Sequence, residues 1–354
     1  MILIAGSALA FIAGILLFHK PRNKMIFFIN TIIYEIKYNT MGVQEIVREF
    51  VFARFNKTDL PQRKGKVAIV TGGSRGIGCF IVKMLMQCDM EVIVACRNIK
   101  AGEDAVRKIR ESGVTSGTAK VYHMDNASLE SVRKFCREIK NDYTRIDTLI
   151  NNAGIMFTPY LKTKEGFEQQ WVVNYLSHFL LTSLLLPLLK NSGNSNEKAR
   201  VINVTSCAHL VGTIDFNHVD DSQGFLRKFA YARSKLAQVM FTKTIQELFS
   251  NKNLPIQSYA VHPGLVNTEI YQHTSMRHLK ILFNILFKTP VQGATPVIYA
   301  AVNKSIENKG GIYITNCLEC PVNSEAHNSK IRDRLFKLSL EQVQLKDFFE
   351  SISN

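Results

Sequence analysis

The chain has no arginine-rich repeat and no interleaving of aromatic with basic residues. Its formal charge of +15 therefore has no nucleic-acid recognition pattern behind it. The excess of 44 Lys and Arg over 29 Asp and Glu reads instead as a bias towards a membrane surface or an anionic cofactor, with no nucleic-acid partner expected. Acidic residues are missing before Glu35, and nothing from Ile2 to Phe18 is charged. No Lys or Arg precedes that run, which argues against the charged start of a cleaved signal peptide. The seven cysteines are scattered and odd in number, which fits reduced thiols on a cytosolic face. Cys317 and Cys320 form one C-x-x-C with no second pair or nearby histidine, so no metal site is expected. There is no low-complexity linker and no internal repeat. What remains is 354 residues, 46% hydrophobic, enough for a sizeable core in one large domain or two.

The apolar run Ile2 to Phe18 would span about 25 Å as a helix, the low end for crossing a bilayer. His19, Lys20, Arg22 and Lys24 follow it, placing the C-terminal side in the cytosol. Residues 1–24 are therefore expected to form an uncleaved signal anchor, whether spanning or lying in one leaflet, in a membrane such as the endoplasmic reticulum. Met25 to Tyr34 is a second apolar run, too short to span alone and suited to the interface or to a tilted anchor. Residues 25–65 read as a connector with a helix in it.

From Lys66 onward strand and helix patterns alternate. Strands are expected at 67–70, 92–95, 120–124, 148–151, 201–204, 256–261 and 312–314, and helices at 79–87, 101–112, 128–140, 167–189 and 230–249. Such alternation predicts an α/β fold, a doubly wound parallel sheet with helices on both faces, over 66–325. Residues 326–354 form a helical tail, with an amphipathic candidate from Lys330 to Gln344. Between the first strand and its helix lies Thr71-Gly72-Gly73-Ser74-Arg75-Gly76-Ile77-Gly78. A glycine-rich turn there lets backbone approach a pyrophosphate at a helix N-terminus. Asn151-Asn152-Ala153-Gly154 ends the fourth strand, beyond which ligands of such sheets bind. Thr205 and Ser206 follow the fifth strand. Tyr231 and Lys235, four apart, project from one helix face. Asn174 sits in the long helix pattern, and Pro263-Gly264 with Thr268 follows the sixth strand.

In this order, TGxxxGxG, NNAG, the helical Asn, the Ser after strand five, YxxxK and the PG turn resemble the short-chain dehydrogenase/reductase family, over roughly Lys66 to Tyr313. The long Ser206–Tyr231 gap, Lys288-Thr289-Pro290-Val291-Gln292-Gly293-Ala294 and Ala95-Cys96-Arg97 look like its retinol dehydrogenase branch. The resemblance implies a Rossmann fold and a catalytic tetrad of Asn174, Ser206, Tyr231 and Lys235. It implies a cofactor held by Gly72, Ser74, Arg75, Gly76, Ile77, Gly78, Arg97, Asp125, Asn152, Ala153, Gly154, Tyr231, Lys235, Pro263, Gly264 and Thr268. It also implies a lipophilic alcohol or carbonyl substrate, of the polyprenol and dolichal kind or else a retinoid or steroid. The alternative of another class is an idle dinucleotide-binding scaffold, against which the intact tetrad argues.

The implied chemistry is consistent with the residue types. Lys235 would favour the phenolate of Tyr231 and bond the nicotinamide ribose; Ser206 would hold the substrate oxygen; Asn174 would interrupt its helix and hold a water leading from Lys235. An acidic residue after strand two would favour NAD(H). Here there is none, and Arg75 and Arg97 suit a 2′-phosphate, so NADP(H) is preferred and NAD(H) is possible. Asp125 would sit by the adenine, or simply cap a helix. Ser177 stands where the family usually has Gly, a change expected to alter packing and spare Asn174. Ile270 to Phe287 mixes apolar and basic residues, as a substrate cover beside an anionic membrane would.

Overall fold

The contiguous apolar runs become strands buried on both faces, as a parallel sheet covered by helices requires. A computed structural model of the protein describes residues 22–216, 225–273 and 286–352. The strands are β1 (Val67–Thr71), β2 (Glu91–Cys96), β3 (Thr118–His123), β4 (Thr148–Asn151), β5 (Ala199–Val204), β6 (Ile256–His262), β7 (Tyr313–Thr315) and β8 (Leu318–Glu319). They form one sheet in the order β3-β2-β1-β4-β5-β6-β7-β8. Every pairing is parallel except β7 with the two-residue β8. Strand order reverses between β1 and β4, so the crevice for a ligand opens where the glycine turn and the Asn151–Gly154 loop leave the sheet.

Helix α1 (Arg22–Phe52) precedes the sheet; α2 (Gly76–Gln87), α3 (Ile99–Glu111), α4 (Leu129–Asp142), α5 (Gln169–Leu184), α6 (Leu186–Ser192), α7 (Arg227–Asn251), α8 (Pro290–Val302) and α9 (Ser329–Gln342) cover it. One core packs Phe135, Trp171, Tyr175, Phe179 and Phe241 on one face. The other packs Ile81, Leu85, Val94, Val297 and Ile298. Helix α9 is tied into the first core, with Tyr175 Oη 2.7 Å from Ser339 Oγ and Trp171 Nε1 donating to Gln342 Oε1 at 3.0 Å.

Three differences from the sequence reading have physical causes. The 167–189 pattern is two helices bent by 60° at Leu185, because Pro187 has no N–H to continue the ladder. Helix α8 went unread, although Thr289 and Gln292 form a reciprocal capping box at its start. The apolar run Met25–Tyr34 and the connector after it merge into the single 31-residue helix α1. Its inward face is Tyr34, Tyr38, Met41, Glu45 and Glu49; the opposite face exposes Ile29, Ile33, Ile36, Val43, Val47 and Phe50. The expected anchor at Ile2–Phe18 and most of the substrate cover, 274–285, lie outside the described residues. Among the described residues no single helix is long and apolar enough to cross a membrane; the bent pair α5–α6 passes by length and composition and is buried in the core.

Candidate active site

The glycine turn is built for close approach. A Cβ on Gly78 would lie 2.2 Å from the Gly72 carbonyl oxygen and 2.8 Å from Asn152 Nδ2, so only glycine fits where the turn meets the Asn152 loop. Gly76 has φ +57°, the left-handed region that opens α2, and lies under Thr268. The N-cap of α2, Arg75, makes no side-chain cap, which leaves the first N–H groups of the helix for a ligand. Burial pushes the Cys96 thiol up, and its hydrogen bond with Ser74 opposes this in part.

Thr71 locks this turn to the neighbouring loop. Its Oγ1 accepts from the N–H groups of Asn152 and Ala153, both at 2.9 Å, while Asn152 Nδ2 donates to the Thr71 carbonyl at 2.8 Å. Asn152 Oδ1 is buried with no hydrogen-bond partner among the described residues. His178 Nε2 lies 3.0 Å from Thr71 Oγ1 and 3.1 Å from Asn126 Nδ2, and its Nδ1 is 3.2 Å from the Asn174 carbonyl. Burial pushes the His178 imidazole down to about 3, so it is neutral, and the network assigns its proton to Nδ1. Ser177 accepts from Asn126 Nδ2 at 2.9 Å, which gives the residue that replaces the family's glycine a partner in the same network.

Asn174 lies in a π-helical turn, Val172–Leu176, within the α5 run, the local interruption anticipated from sequence. Its side chain is fully used: Oδ1 accepts from Ile155 N at 2.9 Å, and Nδ2 donates to the Ile155 carbonyl and to Ser234 Oγ, each at 3.0 Å. The α5 turn is thereby joined both to the loop after β4 and to α7. A Cβ on Gly154 would lie 3.4 Å from Asn174 Oδ1 and 3.6 Å from Lys235 Nζ, so backbone, Asn and Lys converge at one point.

Tyr231 and Lys235 sit one turn apart on α7 and are both buried, with Lys235 Nζ 5.7 Å from the Tyr231 ring centre. Tyr231 hydrogen-bonds Ser206. Burial pushes the Tyr231 phenol well above its ordinary value, and the Ser206 bond opposes this only in part. Burial likewise pushes the Lys235 ammonium down to about 7. That ammonium donates to the Val204 carbonyl and to Gln238 Oε1, both at 2.9 Å. Burial thus favours the neutral phenol.

Of the other expected residues, Arg75 is exposed and 3.4 Å from Glu269, and Arg97 is exposed just beyond β2. Asp125 is half-buried, and its Oδ1 accepts from Ala127 N at 2.9 Å; Ser128 is the cap of α4. Ile77 is half-buried against the second core. Pro263 and Gly264 follow β6, where Gly264 has φ +94°.

The sequence reading missed the α1 residues that pack against the Tyr231 group and the turn after β6. Met41 packs with Met156, Cys207 and Tyr231, and Tyr38, Phe157, Leu265 and Tyr271 lie against them. Glu45 reaches His262, and Glu49 pairs with Lys288 at 2.6 Å beneath the Pro263-Gly264 turn. Two carboxylates four apart in an apolar helix were the available signal. Among the described residues, Glu45, Cys207 and His262 bring three ligand-type atoms within 4.8 Å of one another, in an arrangement that also serves as an ion pair.

The parallel sheet, the glycine turn and the Ser206–Tyr231–Lys235 group define a dinucleotide-dependent oxidoreductase site. Residues 66–278 match the short chain dehydrogenase family, and the chain belongs to that family. It is an oxidoreductase that acts on CH–OH groups with a nicotinamide dinucleotide. The chain is 39% identical to polyprenol dehydrogenase of Homo sapiens over 81% of its length and 88% of the relative's. It is 37% identical to retinol dehydrogenase 14 of Homo sapiens, over 79% of this chain and 87% of that one. Among solved structures it resembles an uncharacterised protein from Mycobacterium Paratuberculosis, with TM-score 0.66 and 30% identity over 81% of this chain and 96% of the other.

Proposed function

We propose that the protein interconverts a lipophilic alcohol and its aldehyde or ketone, with NADP(H) as the preferred cofactor. The observation that carries this reading is the setting of Tyr231: a neutral phenol bonded to Ser206 and enclosed by Met41, Met156, Phe157 and Tyr271. Its polar chemistry faces an apolar enclosure, which suits a carbonyl on a hydrophobic body. Similarity to polyprenol and retinol dehydrogenases supports an isoprenoid alcohol, with polyprenol or dolichal ahead of a retinoid or steroid.

The uncapped N-terminus of α2, the tight turn that Gly78 allows against the Asn152 loop and the unpartnered Asn152 Oδ1 fit a dinucleotide. Gly72, Ser74, Gly76, Ile77 and Gly78 would hold its pyrophosphate side, Asp125, Asn152, Ala153 and Gly154 its adenosine and ribose, and Pro263, Gly264 and Thr268 its nicotinamide end. Arg75 and Arg97 would take the 2′-phosphate. When bound, the cofactor supplies or accepts a hydride at the carbinol carbon. Tyr231 gives its phenolic proton to the carbonyl oxygen in reduction. Ser206 donates to the same oxygen and stabilises the charge that develops there. Lys235 restores the proton to Tyr231, with Asn174 keeping the Gly154 loop and α7 in register.

The catalytic unit is taken as 66–325, with 326–354 as its packed tail and 1–24 as a signal anchor that leaves the site in the cytosol, at the endoplasmic reticulum. The basic residues after Ile2–Phe18 and the exposed apolar stripe of α1 support contact with a bilayer. The test is NADPH oxidation by the purified protein with isoprenoid, retinoid and steroid carbonyls. Absence of turnover with all three, in protein that binds NADPH, would favour the scaffold reading.

A further inference from the structure

The geometry points to a substrate pocket whose wall is supplied in part by the N-terminal helix: Tyr38 and Met41 of α1, with Phe157, select the body of the substrate beside the Tyr231 hydroxyl. This rests on the proposed reaction and adds the residues that set its specificity. An unbroken file of aromatic rings leads from α1 to the reacting phenol. Tyr34 and Tyr38 lie 6.2 Å apart, Tyr38 and Phe157 5.8 Å, and Phe157 and Tyr231 5.5 Å, the last two edge to face. Met41, one turn beyond Tyr38, is buried in contact with the Tyr231 group.

The middle ring is held at a cost. Phe157 has φ +56°, a left-handed backbone that a bulky residue rarely adopts. Its N–H donates to Gln170 Oε1 at 2.8 Å, and the Gln170 amide donates in turn to the Arg227 carbonyl at the start of α7. The chain after Gly154 is therefore bent and pinned so that a phenyl ring stands between α1 and Tyr231. Such backbone strain persists where surrounding contacts over-determine it, and functional pockets are where it gathers.

The helix is also fixed in place. Lys228, at the start of α7, pairs with Glu35 and lies 5.3 Å from the Tyr38 ring centre, and Tyr34 Oη donates to the Lys228 carbonyl at 3.4 Å. Further along α1, the pairs Glu45–His262 and Glu49–Lys288 bind it to the turn after β6. Tyr38 and Met41 lie between these two sets of anchors, so their positions relative to Tyr231 are set from both sides. A wall made of one flexible thioether and two rings suits a long, unbranched or conjugated apolar body better than a compact polar one.

The experiment uses the full chain loaded with NADPH and two aldehyde probes, retinal in detergent micelles and hexanal in solution. Retinal binding is first measured at equilibrium in the inert Tyr231→Phe protein, so that the readout does not depend on turnover. Adding Tyr38→Ala should weaken it on the order of tenfold, whereas Tyr38→Phe should leave it near the background value. Tyr38→Trp keeps an apolar ring against the fold and narrows the pocket; with Tyr231 intact it should raise the KM for retinal by a larger factor than the KM for hexanal. Unaltered retinal affinity in Tyr38→Ala, or equal effects of Tyr38→Trp on both aldehydes, overturns the inference. Weakened retinal binding in a protein that turns over neither aldehyde leaves the pocket wall standing and removes the proposed reaction.

Discussion

Glu45 Oε1, on the helix that precedes the sheet, lies 3.2 Å from Nε2 of His262, the last residue of β6, and both side chains are buried. Burial by itself would push the Glu45 carboxyl up, but His262 beside it outweighs this and brings it down to about 2. Burial would push the His262 imidazolium down, but Cys207 and Glu45 outweigh that and raise it to about 10. The ionised pair is therefore a built-in fastening between α1 and the turn that follows β6. Glu45→Gln should leave His262 without its counter-charge and cost about 3–5 kcal/mol of stability near pH 6. Urea unfolding followed by fluorescence of Trp171, the chain's single tryptophan, would measure it. A Glu45→Gln protein as stable as the parent would mean the pair does not fasten the helix.

The same pair fixes a pH dependence. The Glu45 contribution is present above the ordinary carboxylate range and is lost as pH falls through about 2. The His262 contribution is complete below the ordinary imidazole value of about 6.5 and fades as pH rises through about 10. The stability difference between parent and Glu45→Gln should thus shrink steadily from pH 6.5 to 10. A difference constant over that range would show His262 to be neutral.

Tyr231→Phe should lower turnover by about 10²–10⁴-fold while NADPH binding and folding persist, because it removes the proton-donating hydroxyl and keeps the buried ring. Lys235, pushed down to about 7 by burial, should impose a limb on the reduction rate that falls as pH rises through that region. Lys235→Arg keeps its charge, so whatever activity it retains should lack that limb. Persistence of the limb in Lys235→Arg would assign it to another group.

The sheet was legible because each buried strand reads as an apolar run and each helix as a periodic one, with the glycine turn marking where they meet. The candidate site was legible in outline because Tyr231 and Lys235 stand at i and i+4 on one helix and Ser206 follows a strand. The electrostatics were not: the neutral phenol and the lowered ammonium come from burial by residues distant in sequence, which no spacing reports. Nor was the role of α1. Its inward residues, Tyr38, Met41, Glu45 and Glu49, are separated from Phe157, His262 and Lys288 by more than a hundred positions, and apolar neighbours such as Ile36 and Val43 made the helix look like a simple connector. Phe157 shows the same limit, since a left-handed phenylalanine has no signature of its own.

Arg97→Asp should weaken NADPH binding by about 1.5–3 kcal/mol, the worth of a hydrogen bond to a charged group, and should narrow or reverse the preference over NADH. Arg97 is exposed just past β2, where an acidic residue would instead bond the ribose hydroxyls. Arg75 already has Glu269 at 3.4 Å, so Arg75→Ala should cost less than Arg97→Asp. Fluorescence titration with both nucleotides checks this. Equal affinity of the parent for NADPH and NADH would remove the argument from these two guanidinium groups.

Truncation separates the part of the N-terminus that addresses the membrane from the part that builds the site. Residues 1–21 precede α1, so their removal leaves every contact of Tyr38, Met41, Glu45 and Glu49 available. The shortened protein should bind NADPH and reduce hexanal as the full chain does. It should lose turnover of a long-chain polyprenal in vesicles, since each CH₂ drawn from the bilayer into water costs about 0.8 kcal/mol and an enzyme held at the surface avoids that transfer. Removal through Phe52 is a different perturbation. It strips Met41 from the Tyr231 group and leaves His262 and Lys288 without the carboxylates that pair with them. That protein should lose stability and hexanal turnover together. The outward stripe of α1 supplies a control: Ile36→Lys with Val43→Lys in the full chain alters only exposed positions and should weaken its hold on vesicles while sparing hexanal turnover. If loss of residues 1–21 lowers both activities equally, the segment supports the fold. If it lowers neither, the physical reason for assigning a membrane-borne substrate is gone.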